Sequence, residues 1–241
     1  MAGVNRDCNQ ECIWNAPGTG CIKPDSMVCE IEERGKRMKT EIIKIKGDWQ
    51  EVVDDCRATV KKSPLGKEPS KEFKKAILIS EHDPIRDIIL KFTWRDIKYW
   101  VAMHWKTHIW RSRTNTQRND RQSDYDRDEA PQRTLIDLVG DPNVQHLIDT
   151  WRKRLCFMAS PETRELAEDL KIVLHGVEPE ISDVLVPNCV YRCGCPEMGG
   201  GCGWYSNMVA RYPDLASTDI QKRYDAYNEI FYGARRGEDG N

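Results

Sequence analysis

The sequence lacks a long apolar run, a strong net charge and a secretory leader pattern. No window approaches the run of about 20 apolar residues that a membrane-spanning helix needs, and the first residues show no basic stretch followed by an apolar one. The 37 basic residues nearly balance the 39 acidic ones, which leaves a net charge of -2. The sequence therefore predicts a cytoplasmic protein without a membrane segment, in which any anion-binding site is local.

At 241 residues the chain is long enough to bury one substantial core. We expect three parts: a Cys-rich N-terminal appendage over residues 1–36, a central domain over 37–188, and a Cys-rich turn with a C-terminal helix over 189–241. The strand-like segment TEIIKIK, which begins at Thr40, precedes an amphipathic helix that Asp48 would cap, and this order favours an α/β or α+β domain. We predict further helices over Asp141–Cys156, Ser160–Leu174 and Thr218–Tyr232.

The ten cysteines are many for a reducing compartment, where structural disulfides are rare. Four lie in the N-terminal segment, at Cys8, Cys12, Cys21 and Cys29. These are either ligands of a zinc ion or reduced thiols of a loosely ordered leader. Both interpretations stay open, because the spacing of these cysteines lacks the tight CxxC pattern.

A second group of cysteines crowds a Gly-rich turn near the C-terminus. Its members are Cys189, Cys193, Cys195 and Cys202. Four close thiols suit one structural zinc, with buried free thiols or an iron–sulfur cluster as the alternatives. Cys156, which stands apart, is interpreted as a small buried hydrophobic side chain.

The central stretch, Ile79–Arg121, combines aromatic residues, histidines and arginines. Trp94 to Trp105 is predicted to be a helix or a buried strand, since its period fits both. The arginines that follow stand among Ser, Thr, Asn and Gln, at Arg111, Arg113, Arg118 and Arg121. Such a block suits phosphate or carboxylate, and the alternative is an ordinary solvated charge face.

Three motifs of the region 39–190 combine histidine, arginine and acidic side chains: Glu81-His82, MHWKTHIWRSRTNTQR and WRKRLCFMASPETRE. They resemble motifs of the flavin-dependent thymidylate synthases, the ThyX family. Glu81-His82 resembles the Glu-His pair before the family's central strand, and MHWKTHIWRSRTNTQR falls where the family has RHR followed by seven residues and a serine. WRKRLCFMASPETRE resembles the family's pair of helices that carry arginines. The resemblance implies an α+β fold with a central antiparallel or mixed sheet flanked by helices, to which Cys-rich appendages are added.

The resemblance also implies a role for individual residues. His82 and His108 would lie beside the flavin, with Arg154 on the flavin side, and His82 would also contribute to catalysis. Thr107 and Ile109 replace the two signature arginines, and Arg111 and Arg113 are expected to substitute for them. The residues expected to bind the nucleotide phosphate are Thr116, Gln117 and Arg118. Arg164 would contact the pyrimidine and stabilise charge during catalysis.

The function that the resemblance implies is FAD-dependent reductive C5 methylation of dUMP to dTMP, with methylenetetrahydrofolate and NADPH as co-substrates. It further implies a homotetramer and a phage or prophage gene expressed in a bacterial host. Two alternatives share the scaffold: a related C5 modification of dCMP, and a nucleotide- or nucleic-acid-binding module without flavin. A zinc-stabilised interaction protein is a third hypothesis.

Overall fold

The computed structural model describes residues 15–16, 20–21, 40–115, 118, 121 and 126–236. Some predictions fall on residues outside these ranges: the phosphate contacts of Thr116 and Gln117, and the N-terminal zinc ligands Cys8, Cys12 and Cys29. Near the N-terminus, β1 (Asn15–Ala16) and β2 (Gly20–Cys21) form a short antiparallel ladder.

A four-stranded antiparallel sheet lies at the centre of the fold. Its strands are β3 (Thr40–Lys46), β4 (Ile89–Lys98), β5 (Arg111–Thr114) and β6 (Leu135–Asp141). They pair in the order β3-β4-β6-β5, and every pair is antiparallel. Helices flank this sheet, which confirms the predicted α+β class.

Nine α-helices surround the sheet in the described part of the chain. They are α1 (Trp49–Ala58), α2 (Lys71–Ile79), α3 (Tyr99–Lys106), α4 (Val144–Arg154), α5 (Pro161–His175), α6 (Pro179–Asp183), α7 (Asn188–Tyr191), α8 (Trp204–Val209) and α9 (Ile220–Arg236). None of these helices is both long and apolar enough to cross a bilayer.

Helix ends show where local sequence determines structure. Asp48 caps α1 as predicted, because its carboxylate accepts a 2.8 Å hydrogen bond from the amide of Glu51. The helix predicted to start at Asp141 begins later, since Asp141 still belongs to β6 and Asn143 provides the cap. Ser160 precedes α5 as expected, but its hydroxyl bonds to the Thr163 hydroxyl at 2.7 Å instead of capping a backbone amide.

The ambiguous segment from Trp94 to Trp105 contains both predicted structures in succession. β4 continues to Lys98, and α3 begins at the next residue. A β-bulge interrupts β4, with Asp96 at a φ of 53°. The two elements place the tryptophans in one buried cluster, whose ring centroids lie 4.6 Å apart for Trp94 and Trp105.

The C-terminal segment, expected as an appendage, packs into the same core. Val190, Trp204 and Tyr224 are buried in the hydrophobic cluster that also contains the tryptophans of β4 and α3. The buried side chain of Arg223 on α9 donates to the carbonyl oxygens of Val190 at 2.9 Å and Tyr191 at 3.0 Å. These bonds fix the position of α7, which forms one wall of the cleft described next.

Candidate functional site

An open cleft of about 490 Å³ lies between the residues after α3, one face of α4, and α7. This volume is within the range of small-molecule sites in proteins. The lining residues are Thr107, His108, Ile109, His146, Asp149, Thr150, Arg152, Lys153, Asn188, Tyr191 and Arg192. Three elements of the single chain therefore supply a site whose lining residues are mostly of polar types and include the cations Arg152, Lys153 and Arg192.

α4 contributes a polar stripe to the cleft. His146, Asp149, Thr150 and Lys153 follow one another at the i, i+3, i+4 and i+7 spacing, which places them on one face of a helix. The opposite side of α4 carries Leu147 and other core residues. The sequence contained this signal, but the prediction used α4 only as the carrier of Arg154 and missed the stripe.

His108 is held in place by the neighbouring arginine. Arg154 donates from Nε to His108 Nε2 at 2.8 Å and from Nη2 to the His104 carbonyl oxygen at 2.7 Å. Burial, together with the charges of Arg154 and Lys153, lowers the pKa of His108 to about 4. The imidazole is therefore neutral at physiological pH. Because Nε2 accepts a hydrogen bond, its proton is assigned to Nδ1.

Arg152 is the most constrained cation of the cleft. Its guanidinium forms a salt bridge with Glu81 and stacks on Tyr191, with Cζ 3.5 Å from the ring centroid. Burial by itself would lower the pKa of Arg152, but the hydrogen bond and charge of Glu81, together with Tyr224, outweigh burial and raise this pKa. Glu81 also accepts a 2.6 Å bond from Gln145 Nε2. Glu81 and Arg152 thus tie α4 to the turn that precedes β4.

Glu81 has an unusual backbone conformation. Its φ of 51° lies in the left-handed region, which is costly for a residue with a side chain. The next residue, His82, is exposed and precedes the 3-10 turn Asp83–Asp87. In the Glu-His pair singled out in the sequence, it is the glutamate that pairs with a residue of the cleft lining, Arg152.

The other predicted arginines lie away from the cleft lining. Arg113 pairs with Asp141 at 2.6 Å, while Arg111 and Arg118 are exposed. Arg164 is buried on α5, with its guanidinium 4.1 Å from the ring centroid of Phe157. Among the described residues that were predicted to form the site, the lining includes His108, and Arg154 contacts it directly. His82, Arg111, Arg113, Arg118 and Arg164 are not part of this lining.

The predicted zinc ligands divide between two environments. Cys189, Cys195 and Cys202 line a second cavity, whereas Cys193 lies outside that lining and faces the hydroxyl of Tyr205, 3.6 Å from its sulfur. No three ligand-type side chains of the described residues are close enough together to hold a metal ion as they stand.

Comparison with known proteins gives a likeness at the level of the fold. No protein-family model and no curated protein matches the sequence. Among solved structures, the chain is similar to the UMP/dUMP methylase PolB from Streptomyces cacaoi bound with 5-Br dUMP, with a TM-score of 0.50 and 12% identity over 61% of this chain and 94% of that chain. The same methylase bound with 5-Br UMP gives a TM-score of 0.47 and 12% identity over 61% of this chain and 93% of that chain. At 12% identity the likeness shows a shared fold alone. Membership of the ThyX family stays a prediction.

Proposed function

We propose that this protein is an enzyme that binds a pyrimidine nucleotide in the cleft between α3, α4 and α7 and methylates its C5 position. The observation that carries the proposal is a cationic cleft on a fold similar to that of a solved UMP/dUMP methylase. The expected substrate is dUMP, and the alternative is dCMP. One or two polar groups of the protein at the pyrimidine edge would decide between the two.

The cleft has groups for both ends of a nucleotide. Lys153 and Arg192 are exposed cations of the lining, and the charge of each suits a phosphate. Arg152 is already neutralised by Glu81 and serves to hold Tyr191 and α7 in place. Neutral His108 keeps Nδ1–H as a donor for a carbonyl oxygen of the base or of a flavin ring. The proposed site therefore differs from the predicted one in its phosphate ligands.

The donor set of the cleft also fits a flavin nucleotide. Thr107 and Ile109 replace the two signature arginines, and Ile109 is 90% exposed, so a flavin in this cleft would be held through the Nδ1–H of His108, while Lys153 and Arg192 hold the nucleotide phosphate. When bound, the flavin supplies hydride, with methylenetetrahydrofolate as the one-carbon donor and NADPH as the reductant that recharges it. The protein residues position the base and exclude water from it.

We further propose a homotetramer in which a neighbouring subunit covers the open side of the cleft. The exposed Ile109 at the cleft rim is an apolar side chain that such an interface would bury. Light scattering measures the mass of the assembly directly. Ile109→Asp is expected to favour smaller species if the rim is the interface, whereas the exposed control substitution Val60→Asp is not.

The test of the proposed function begins with the absorption spectrum and nucleotide titration of the full-length protein. We expect flavin absorbance that changes on addition of dUMP. Replacing both Lys153 and Arg192 by Gln should weaken dUMP binding about tenfold or more, because each removes a charge-assisted contact. Lys222→Gln, which removes an exposed cation of α9, is the matched control and should leave the affinity unchanged.

Two outcomes would contradict this assignment. Unchanged affinity in the double variant would mean that the phosphate binds elsewhere. A colourless protein that does not take up added FAD but binds nucleotide or nucleic acid would instead favour the binding module. The exposed Ile109 in place of an arginine is the observation on which that alternative rests. In that case binding should weaken as salt increases.

A further inference from the structure

Four cysteine side chains line one small cavity of about 170 Å³ on the C-terminal side of the fold. They are Cys156, Cys189, Cys195 and Cys202. The first follows α4, the second lies in α7, and the last two belong to the Gly-rich turn before α8. Packing of separate segments brings these thiols together, so a search for closely spaced cysteines in the sequence does not find this set.

The environment of the cavity is unfavourable for unpaired thiolates. Burial raises the pKa of the Cys189 thiol, and the neighbouring thiols of Cys156, Cys202 and Cys195 raise it further. Burial likewise raises the pKa of Cys156 and of Cys202. The geometric link between the four thiols is that all of them line the same cavity. A divalent cation among them would reverse the balance, because a bound metal stabilises the deprotonated thiolate.

A backbone amide is already directed at one of the sulfur atoms. The amide of Met158, two residues after the cysteine, donates to Cys156 Sγ at 3.5 Å. Such a bond favours a negatively charged sulfur, and it orients the sulfur in the way that outer contacts orient metal ligands.

We propose that Cys156, Cys189, Cys195 and Cys202 bind one structural Zn²⁺ ion, with Cys193 outside the ligand set. Four thiolates are a common donor set for structural zinc, with Zn–S bonds of about 2.3 Å. Each thiol releases its proton on binding.

The sulfur atoms must move inward to reach the ion, since no three ligand-type side chains among the described residues hold a metal as they stand. The Gly-rich turn is suited to this movement. Gly199, Gly200 and Gly201 have φ values of 81°, 95° and 65°, and a methyl group added to Cα of either of the first two would meet no atom within 4 Å. Cys195 is itself exposed on this turn. Closure of the turn over the ion would bury the sulfur of Cys195.

The zinc site shares a wall with the nucleotide cleft. Asn188, the first residue of α7, lines both cavities. In the same short helix, Cys189 faces the thiol cavity while Tyr191 stacks on Arg152 in the cleft. Zinc bound to Cys189 would therefore fix the wall that carries Tyr191, whether or not the cleft binds a pyrimidine nucleotide.

The experiment compares metal content in single cysteine variants of the full chain. Protein is expressed with added zinc, purified under reducing conditions and analysed by atomic spectroscopy. Cys156→Ser and Cys195→Ser should each contain one zinc ion fewer per chain than the wild type. The matched control, Cys193→Ser, should keep the wild-type content, because Cys193 is not part of the cavity lining and its sulfur accepts a hydrogen bond from the Tyr205 hydroxyl. The variants and the wild type share the N-terminal cysteines, so the difference in zinc content between them does not include any metal held there.

Cobalt substitution gives a second readout. Co²⁺ bound to the wild type should show an intense thiolate charge-transfer band that weakens in Cys156→Ser and is unchanged in Cys193→Ser. Because Cys195 is exposed, Cys195→Ser tests the site even if the buried variant at Cys156 does not fold. The proposal is wrong if the wild type binds neither metal through these thiols, if it contains iron instead, or if Cys193→Ser loses the ion while Cys156→Ser keeps it.

Discussion

Arg154 donates a 2.8 Å hydrogen bond from Nε to Nε2 of His108. An imidazole that accepts from a guanidinium cannot easily gain a proton, because the proton would displace the donor and stand beside a fixed positive charge. Burial of the ring, together with the charges of Arg154 and Lys153, lowers the pKa of His108 to about 4. The result is a neutral hydrogen-bonding ring in a cleft that also contains charged basic side chains.

His108 should make the stability of the protein depend on pH. The unfolded histidine titrates near 6.5 and the folded one at about 4, so between these values the unfolded chain binds more protons. The free energy of unfolding should therefore fall as the pH decreases from about 6.5 to about 4. His108→Gln keeps a neutral acceptor for Arg154 and should reduce this decrease, measured by urea unfolding at several pH values.

The control for this prediction is His82→Gln, which removes an exposed imidazole. We expect its pH dependence in the same range to remain that of the wild type. Equal pH dependence in His108→Gln and the wild type would show that His108 does not titrate as its surroundings indicate.

Glu81→Gln should destabilise the protein by roughly 3 kcal/mol, because it leaves the buried guanidinium of Arg152 with only the longer 3.4 Å ion pair to Asp149. The side chains of Arg152 and Glu81 are 9% and 21% exposed. Chemical denaturation measures the change. Glu41→Gln, which breaks the exposed pair with Arg95, should cost less than about 1 kcal/mol. A similar effect of the two substitutions would mean that burial does not strengthen the Glu81–Arg152 pair.

Gly140→Ala should disturb the aromatic core. A Cβ atom at this position would lie 2.6 Å from Phe92 Cζ and 2.7 Å from Trp110 Cζ3, and ring atoms in a packed core have little room to move. We expect a loss of roughly 1 to 3 kcal/mol, seen as a lower Tm. Gly233→Ala in α9 meets nothing within 4 Å and should raise the Tm slightly, since alanine favours helix. Equal shifts for the two variants would contradict this account.

Arg223→Lys should loosen α7 although the charge is kept. Lysine lacks the planar fork that donates to the carbonyl oxygens of Val190 and Tyr191, and these groups would lose their partner. The free energy of unfolding should fall by roughly 2 kcal/mol. Hydrogen exchange at the amides of α7 should accelerate more than at those of α4. The neighbouring exposed substitution Lys222→Arg should change neither quantity. If the amides of α7 in Arg223→Lys exchange as slowly as in the wild type, the role assigned to the guanidinium fork is wrong.

Local patterns predicted the elements that local interactions determine. The alternation of β3 and the capping carboxylate of Asp48 are short-range features, and both appear where the sequence placed them. The shift of the α4 start to Val144 has a long-range cause, because Asp141 is paired with Arg111 in the ladder between β6 and β5. Residues just before a helix can belong to a strand without changing the local sequence signal.

The candidate site was harder to predict because its contacts join distant residues. Glu81 and Arg152 come from different elements, and nothing in either segment identifies the other as its partner. Within the run WRKR, successive side chains of a helix point in directions about 100° apart, so adjacent arginines reach different neighbours. The sequence favoured Arg154, and the cleft is lined by Arg152 and Lys153. In the same way, Cys156 lines a cavity together with Cys189, Cys195 and Cys202 although it lies far from them in the sequence.

The bonds from Arg223 to the carbonyl oxygens of α7 also set an order of events during synthesis. A ribosome releases the chain from its N-terminus, so α3 and α4 emerge well before α9. Until α9 has left the exit tunnel, the donor that fixes Val190 and Tyr191 is missing. The third wall of the cleft is therefore the last to be secured, and a nascent chain that stops short of α9 has an incomplete cleft.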